Sequence, residues 1–453
     1  MPRFSRGCER FLHNPFRVMP EPVAQPTPMT AERSPWLRGP VRVPGDLLVS
    51  NLALILAAMA RGESIIENLS IGPSTAATVR VLGQLGVPIS ESAGRWHVQG
   101  LGIGGFLTPE APLDLTGAGS ATPLLVNLIA AHDFESRFSG LSMSPEIITT
   151  LDFLARNGTF VDHTSSDITV RGPRFAIPLD LALPAEASYL RAPLLLAASV
   201  ITGASTLHTA APEADPTESL LAIFGARITG ASDDSGRTTE IEGMAPLRAQ
   251  AVVVPGDPTL AAYPAVAALI APDSEITVEG LSLDRDRFGM IDALLLLGAD
   301  IALTNVRPGG KPTVDLAVRH SPLKGAIVPA RLAIEAEDFA ILAIAAAFAE
   351  GETVFEGLGE GSRRFALTRA LRDNGIECEE RAGGLAVHGM PRVPGGGNIV
   401  TRLDPKLAMS FLVLGMAADQ PVTIDDGAVM TEQFPNFVPA FEHIGASFKS
   451  GAA

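Results

Sequence analysis

The sequence predicts an α/β or α+β protein of two similar domains, each assembled from three copies of one helix–strand–helix unit. Three observations carry this. A chain of 453 residues that is 46% hydrophobic has material for more than one core. From Val41 onward it repeats itself in units that close on Gly86, Gly158, Gly225, Gly298, Gly375 and Gly445, a period of roughly 70 residues. Ala/Leu-rich helical stretches alternate with short β-branched ones, which excludes an all-helical solenoid.

The units follow in order. The first opens on the apolar helix SNLALILAAMA, passes into a strand at Ser64–Leu69, and ends on a second helix before Gly86. The second and third carry TPLLVNLIAA and LRAPLLLAASV as first helices, and TTLDFLARNG and LLAIFG as their closing segments. The fourth runs from YPAVAALI through a strand at Ser274–Gly280 to IDALLLLG, and the fifth from FAILAIAAAFA through Thr353–Gly357 to TRALRDNG. The sixth pairs SFLVLGMA and VTIDDG with PAFEHIG. Each first helix is apolar nearly all round and belongs inside a core; each second helix is amphipathic and belongs at a surface. PGD recurs at Pro44 and Pro255, after VRV and VVV, which marks a duplication with a hinge near Ala245–Val252.

Composition removes several functions. The net charge of −16, with no basic run longer than two residues, argues against a nucleic-acid partner. The longest apolar stretch, Phe339–Ala349, is well short of the ~18 residues of a membrane span, so a soluble protein is expected. Cys8 and Cys378 make no disulfide framework, and the eight histidines show no ligand-like pairing, so neither a metal nor an oxidising compartment is expected and the cytoplasm is the natural place. Residues 1–34, with Arg3, Arg6, Arg10 and Arg17 among six prolines, lack an apolar signal core and read as a disordered extension or a start placed too early, ahead of Met29.

VRVPGD before an apolar helix, ARGESIIENL, PGDP…AAYPAVAALI, AIAAAFAEGET and LAMSFLVLGMA…VTIDDGAVMTEQFPNF together resemble the enolpyruvyl transferases, from about Gly39 to Phe448. The resemblance is greatest to the members that join shikimate phosphate to phosphoenolpyruvate. It implies a two-domain inverse α/β barrel of six βαβαββ units, with 47–247 as one domain and 35–46 plus 248–450 as the other. It implies small anions as partners, a monomer, no cofactor and no metal. Helix N-termini facing a cleft suit anions; here they start at Asp46, Gly117–Ser120, Glu186–Ser188, Asp257–Thr259, Glu337–Asp338 and Asp404–Lys406. Asp and Ser at such places are equally ordinary caps.

Against the family's motifs, most cationic ligands are replaced. PGDKSxSHR reads PGDLLVSNL: Leu47, Leu48 and Leu52 stand for lysine, serine and arginine, and Ser50 remains. GNSGTxxR reads TGAGSATP, keeping Gly119 with Ser120 for threonine and Pro123 for arginine. Pro145 falls near the arginine of RPM, and SSQ reads Glu186, Ala187, Ser188. Glu337 takes the place of the acid/base aspartate and is the candidate catalytic residue. Glu360 and Arg363 match the end of ELRxKESDR, DHR becomes Asp404-Pro405-Lys406, and Glu432 replaces a lysine. The substrate-binding candidates are thus Ser50, Gly119, Ser120, Ser188, Glu360, Arg363, Asp404 and Lys406. Each has a plainer reading as a cap, a solvated carboxylate or a surface ion pair.

Losing about five charge-assisted hydrogen bonds, at roughly 1.5–3 kcal/mol each, is as large as the whole ~8 kcal/mol that holds a micromolar ligand. Three readings stand: a folded, catalytically impaired member; an active carboxyvinyl transferase on this or another acceptor, working through Glu337, Asp404, Lys406 and Arg363; or a non-catalytic binding or regulatory protein whose Leu47, Leu48 and Leu52 make a polar wall apolar.

Overall fold

A computed structural model describes residues 26–141, 143–210, 216–283, 287–307, 312–330, 332, 339–358 and 362–451, with the backbone alone at Pro145, Ala185, Glu186, Ser362 and Glu432. Twelve α-helices lie within them: α1 (Leu47–Met59), α2 (Pro73–Gln84), α3 (Ala121–Ala130), α4 (Pro145–Arg156), α5 (Arg191–Val200), α6 (Pro216–Ile223), α7 (Ala262–Ile270), α8 (Gly289–Leu296), α9 (Phe339–Ala347), α10 (Ser362–Asp373), α11 (Pro405–Gly415) and α12 (Phe437–His443). None is long and apolar enough to cross a membrane.

The odd-numbered helices are the apolar ones, and they are buried along nearly their whole length. Their Ala, Leu and Ile residues are strong helix formers or large apolar groups, each fully buried Leu or Ile contributing about 1.5–3 kcal/mol. Helices α7, α9 and α11 pack on one another, as α3 does on α5. The six closing glycines all sit at positive φ, between 76° and 112°, where a helix stops in the left-handed region that side chains disfavour.

Six four-stranded sheets surround these helices, and all share one pattern: a short strand parallel to its neighbour, then two antiparallel strands. The first sheet orders Ala251–Val253, Arg61–Glu67, Arg95–Leu101 and Ile89–Ser92. The fourth orders Arg38–Val41, Glu275–Ser282, Thr313–Arg319 and Asp300–Arg307. The short strands are thereby exchanged: the one before α1 belongs to the fourth sheet, and the one before α7 to the first. Two separate hydrophobic cores result. One runs from Val49 to Val254; the other joins Ala31–Val43 to Ala261–Ala446.

Two expectations are corrected here. Residues 29–32 are not irregular: Met29–Glu32 is an inner strand of the sixth sheet, paired with Val422–Ile424 on one side and Ser447–Ser450 on the other. The polar MTAE carries no strand signal of its own, and its partners lie far along the chain. The rest of the extension, 1–25, lies outside the described residues. The first core also continues past Leu247, because Ala251–Val253 pairs with Ile65–Glu67 and Val254 is buried in it.

Candidate active site

The site lies where the chain passes between its two halves. Both passages are PGD segments, and they run antiparallel: the Asp46 N–H donates to Pro255 O at 2.9 Å and the Asp257 N–H to Pro44 O at 3.0 Å. No side chain fits at Gly45, since a Cβ would stand 2.0 Å from the Asn68 carbonyl oxygen. Asp46 caps α1 by accepting the Val49 N–H at 2.9 Å, and Asp257 accepts the Thr259 N–H at 2.8 Å in the turn leading to α7. These are the caps the sequence leads one to expect.

Two buried carboxylates side by side need a cation, and Arg287 supplies it. Its Nη2 donates to both oxygens of Asp257 at 2.8 and 3.0 Å, while its Nη1 donates to Asp46. Burial pushes the Asp257 carboxyl up from its ordinary value; Arg287 opposes this and the Asp46 carboxylate adds to it. Arg287 was not among the residues picked from the sequence. The paired PGD aspartates were the available signal, but nothing local says which arginine answers them.

A cavity of about 270 Å³ opens beside this cluster, lined from both halves by Leu47, Ser70, Ser74, Thr259, Arg287, Lys406 and Gln433, with Asp257 in its wall. The Ser74 hydroxyl is committed, donating to Ala118 O at 2.7 Å. The Gln433 Oε1 is buried and has no hydrogen-bond partner among the described residues. Two further cavities lie apart. One of about 460 Å³ is lined by Gly117, Gly119, Ser120, Pro123, Ser144 and Glu146. The other, about 210 Å³, is lined by Phe339, Arg363, Thr401, Arg402, Leu403 and Asp404.

The candidate residues therefore divide. Lys406 lies in the inter-half cavity, Gly119 and Ser120 in the second, Arg363 and Asp404 in the third. Arg363 approaches Asp404 at 3.6 Å, and Asp404 caps α11 by accepting the Lys406 and Leu407 N–H groups at 2.9 and 3.2 Å. Ser50 lines none of them; it is buried, its Oγ accepting the Ser70 N–H at 2.9 Å. Ser188 is exposed on the short 3-10 helix Ala185–Leu190 before α5 and lines none of the three. Glu337 and Glu360 lie outside the described residues, as do the side chains of Glu186 and Glu432. The apolar-wall expectation holds for Leu47 alone. Leu52 is fully buried in the first core and Leu48 packs against that core, because α1 turns those positions inward.

Two halves of three repeated units each, with a cleft formed between them, define the inverse α/β barrel class of enolpyruvyl transferases. The structure resembles EPSP synthase from Acinetobacter baumannii, with TM-score 0.83, 26% identity, and coverage of 94% of this chain and 100% of that one. It shares the fold of the enolpyruvyl transferase NikO from Streptomyces tendae, at TM-score 0.74 and 19% identity, over 95% of this chain and 100% of that one. Residues 32–441 match the family model described as EPSP synthase (3-phosphoshikimate 1-carboxyvinyltransferase). Proteins named 3-phosphoshikimate 1-carboxyvinyltransferase from Parvibaculum lavamentivorans and Methylobacterium sp. are 40% and 38% identical, each over 93% of this chain and 96% and 98% of their own. The chain belongs to the EPSP synthase family.

Proposed function

We propose that this chain is a folded member of the EPSP synthase family whose own residues do not sustain the transfer of a carboxyvinyl group from phosphoenolpyruvate to 3-phosphoshikimate. One observation carries the reading: Arg287, a cation reaching the inter-half cavity, is already held by two buried carboxylates. The charged groups described there are Arg287 and Lys406 against Asp257, with Asp46 behind them, so the described residues bring the cavity no net positive charge. Two phosphorylated, carboxylated ligands bring about three to five negative charges, and each unmade charge-assisted hydrogen bond forgoes roughly 1.5–3 kcal/mol. Leu47 and Pro123, where the family carries lysine and arginine, add nothing to that deficit's repair. The compartment we infer is the cytoplasm, since Cys378 is a buried free thiol and asks for no oxidising surroundings.

The test uses the full-length protein with 3-phosphoshikimate and phosphoenolpyruvate. Transfer of the carboxyvinyl group breaks its bond to the phosphate oxygen and releases inorganic phosphate, which is readily measured. No phosphate above background and no calorimetric heat at millimolar ligand are expected. Steady, enzyme-dependent phosphate release would overturn the proposal. Heat without phosphate release would support loss of catalysis while showing that binding survives.

A further inference from the structure

We infer that Arg287 is a positioning residue that clasps the two chain passages together and so fixes the angle between the halves without any ligand. The inference stands whether or not the chain turns over substrate.

The second passage is anchored to both halves within a few residues. Val254 N–H donates to Glu67 O and Asn68 Nδ2 donates to Val254 O, both at 2.9 Å, tying it to the first half. Gly256 N–H donates to Gly280 O at 2.8 Å, and Ser282 N–H to Gly256 O at 2.9 Å, tying it to the second. The first passage leaves the fourth sheet at Val41 and enters α1 at Asp46. Any rotation of one half against the other must be absorbed between these anchors. The mutual bonds of the two PGD segments cross that gap, but backbone hydrogen bonds of a short antiparallel pair bend easily.

Arg287 stiffens it. The guanidinium is a planar fork that can engage two carboxylates in a fixed mutual geometry, which a point charge cannot. One carboxylate, Asp46, is also the cap of α1, the central helix of the first half; the other, Asp257, shapes the turn into α7 of the second. Arg287 itself comes from the segment just before α8. The clasp therefore joins the starting points of two core helices, one from each half, through two buried carboxylates held by one half-buried guanidinium. The Thr259 hydroxyl lies 3.5 Å from Nη2 and borders the same cavity.

The experiment measures the distance between spin labels on the two halves. Labels go at Asp234→Cys and Ala382→Cys, both exposed turn positions, in full-length protein carrying Cys8→Ser; Cys378 is buried. The parent should give a single narrow distance distribution. Arg287→Lys, which keeps the charge without the fork, and Arg287→Met should both lose that narrow peak. Arg287→Met leaves two buried carboxylates unpaired and can fail to fold. The triple variant Asp46→Asn, Asp257→Asn, Arg287→Met removes all three charges together, and asparagine caps a helix as well as aspartate does. A cooperative melt with a broadened distribution in the triple variant supports the clasp. A distribution unchanged from the parent in Arg287→Lys and in the triple variant overturns it.

Discussion

Asp315 offers a quantitative test of the second half. Its carboxylate is almost fully buried and accepts four hydrogen bonds: from Arg307 at 2.7 and 2.8 Å, from Asn305 Nδ2 at 2.9 Å and from the Gly280 N–H at 2.8 Å. Those bonds span the two places where the strands of the fourth sheet slip register, between Val278 and Leu281 and between Thr304 and Arg307. The hydrogen bonds from Arg307, outweighing the cost of burial, hold the carboxyl down from 3.8 to about 2. At ~1.36 kcal/mol per pKa unit that is on the order of 2 kcal/mol of stability carried by the charged form. The folded value is below the unfolded one, so this stability is fully present above pH 3.8 and is lost as pH falls through 2. Asp315→Asn keeps the shape and removes the charge. At pH 7 it should lower the melting temperature by about 5–10 °C for a unit of this size. The gap between variant and parent should shrink to about half by pH 3. Melts followed by circular dichroism between pH 3 and 7 make the measurement. A gap that stays constant over that range would show that Asp315 acts through shape, and the linkage would be wrong.

The remaining predictions concern the first half and α11. Leu52→Arg should be severely destabilising, since it forfeits about 2 kcal/mol of burial and places a charge in the core at a cost of several more; a urea melt shifted by less than ~2 kcal/mol would contradict the burial of this position. For the same reason the combined variant Leu47→Lys, Leu48→Ser, Leu52→Arg should not support growth, without aromatic amino acids, of a strain lacking its own EPSP synthase; growth would show that the losses at Pro123 and elsewhere weigh little. Asp404→Ala should cost about 1 kcal/mol through the lost cap of α11, and Asp404→Asn almost nothing, because the exposed Arg363 pair is worth little. Equal losses in both, read from thermal melts, would assign the effect to the ion pair.

What was legible from sequence was local. The six closing glycines and the apolar first helices announce themselves within a few residues, since helix termination and burial leave a short-range pattern. What was not legible depended on partners far away. Met29–Glu32 looks irregular until Val422–Ile424 and Ser447–Ser450 are placed beside it. Leu52 matches an arginine position in the family motif, and no alignment of letters shows that the side chain here turns into the core. Arg287 is one arginine among many in the sequence, and only the meeting of the two PGD segments gives it a role. The loss of cationic ligands is a different case: it is visible in the letters, while its consequence for turnover is a matter for the phosphate assay.

The strand Met29–Glu32 has a consequence for how the chain is made. Its edge partner begins at Ser447, 415 residues after Glu32. At the ~5–20 residues per second of protein synthesis, that separation is roughly 20–80 s on the ribosome. During that interval the Val49–Val254 core emerges whole, including Ala251–Val253, the short strand before α7 that completes its first sheet. The opening strand Arg38–Val41 waits for Glu275–Ser282, and Met29–Glu32 waits longer still, for Val422–Ile424 and Ser447–Ser450. The first half is therefore free to fold as an early, self-sufficient body, and the second closes only around both ends of the chain. A nascent chain arrested near residue 300 should already protect α1 from proteolysis and leave Met29–Val41 open to it.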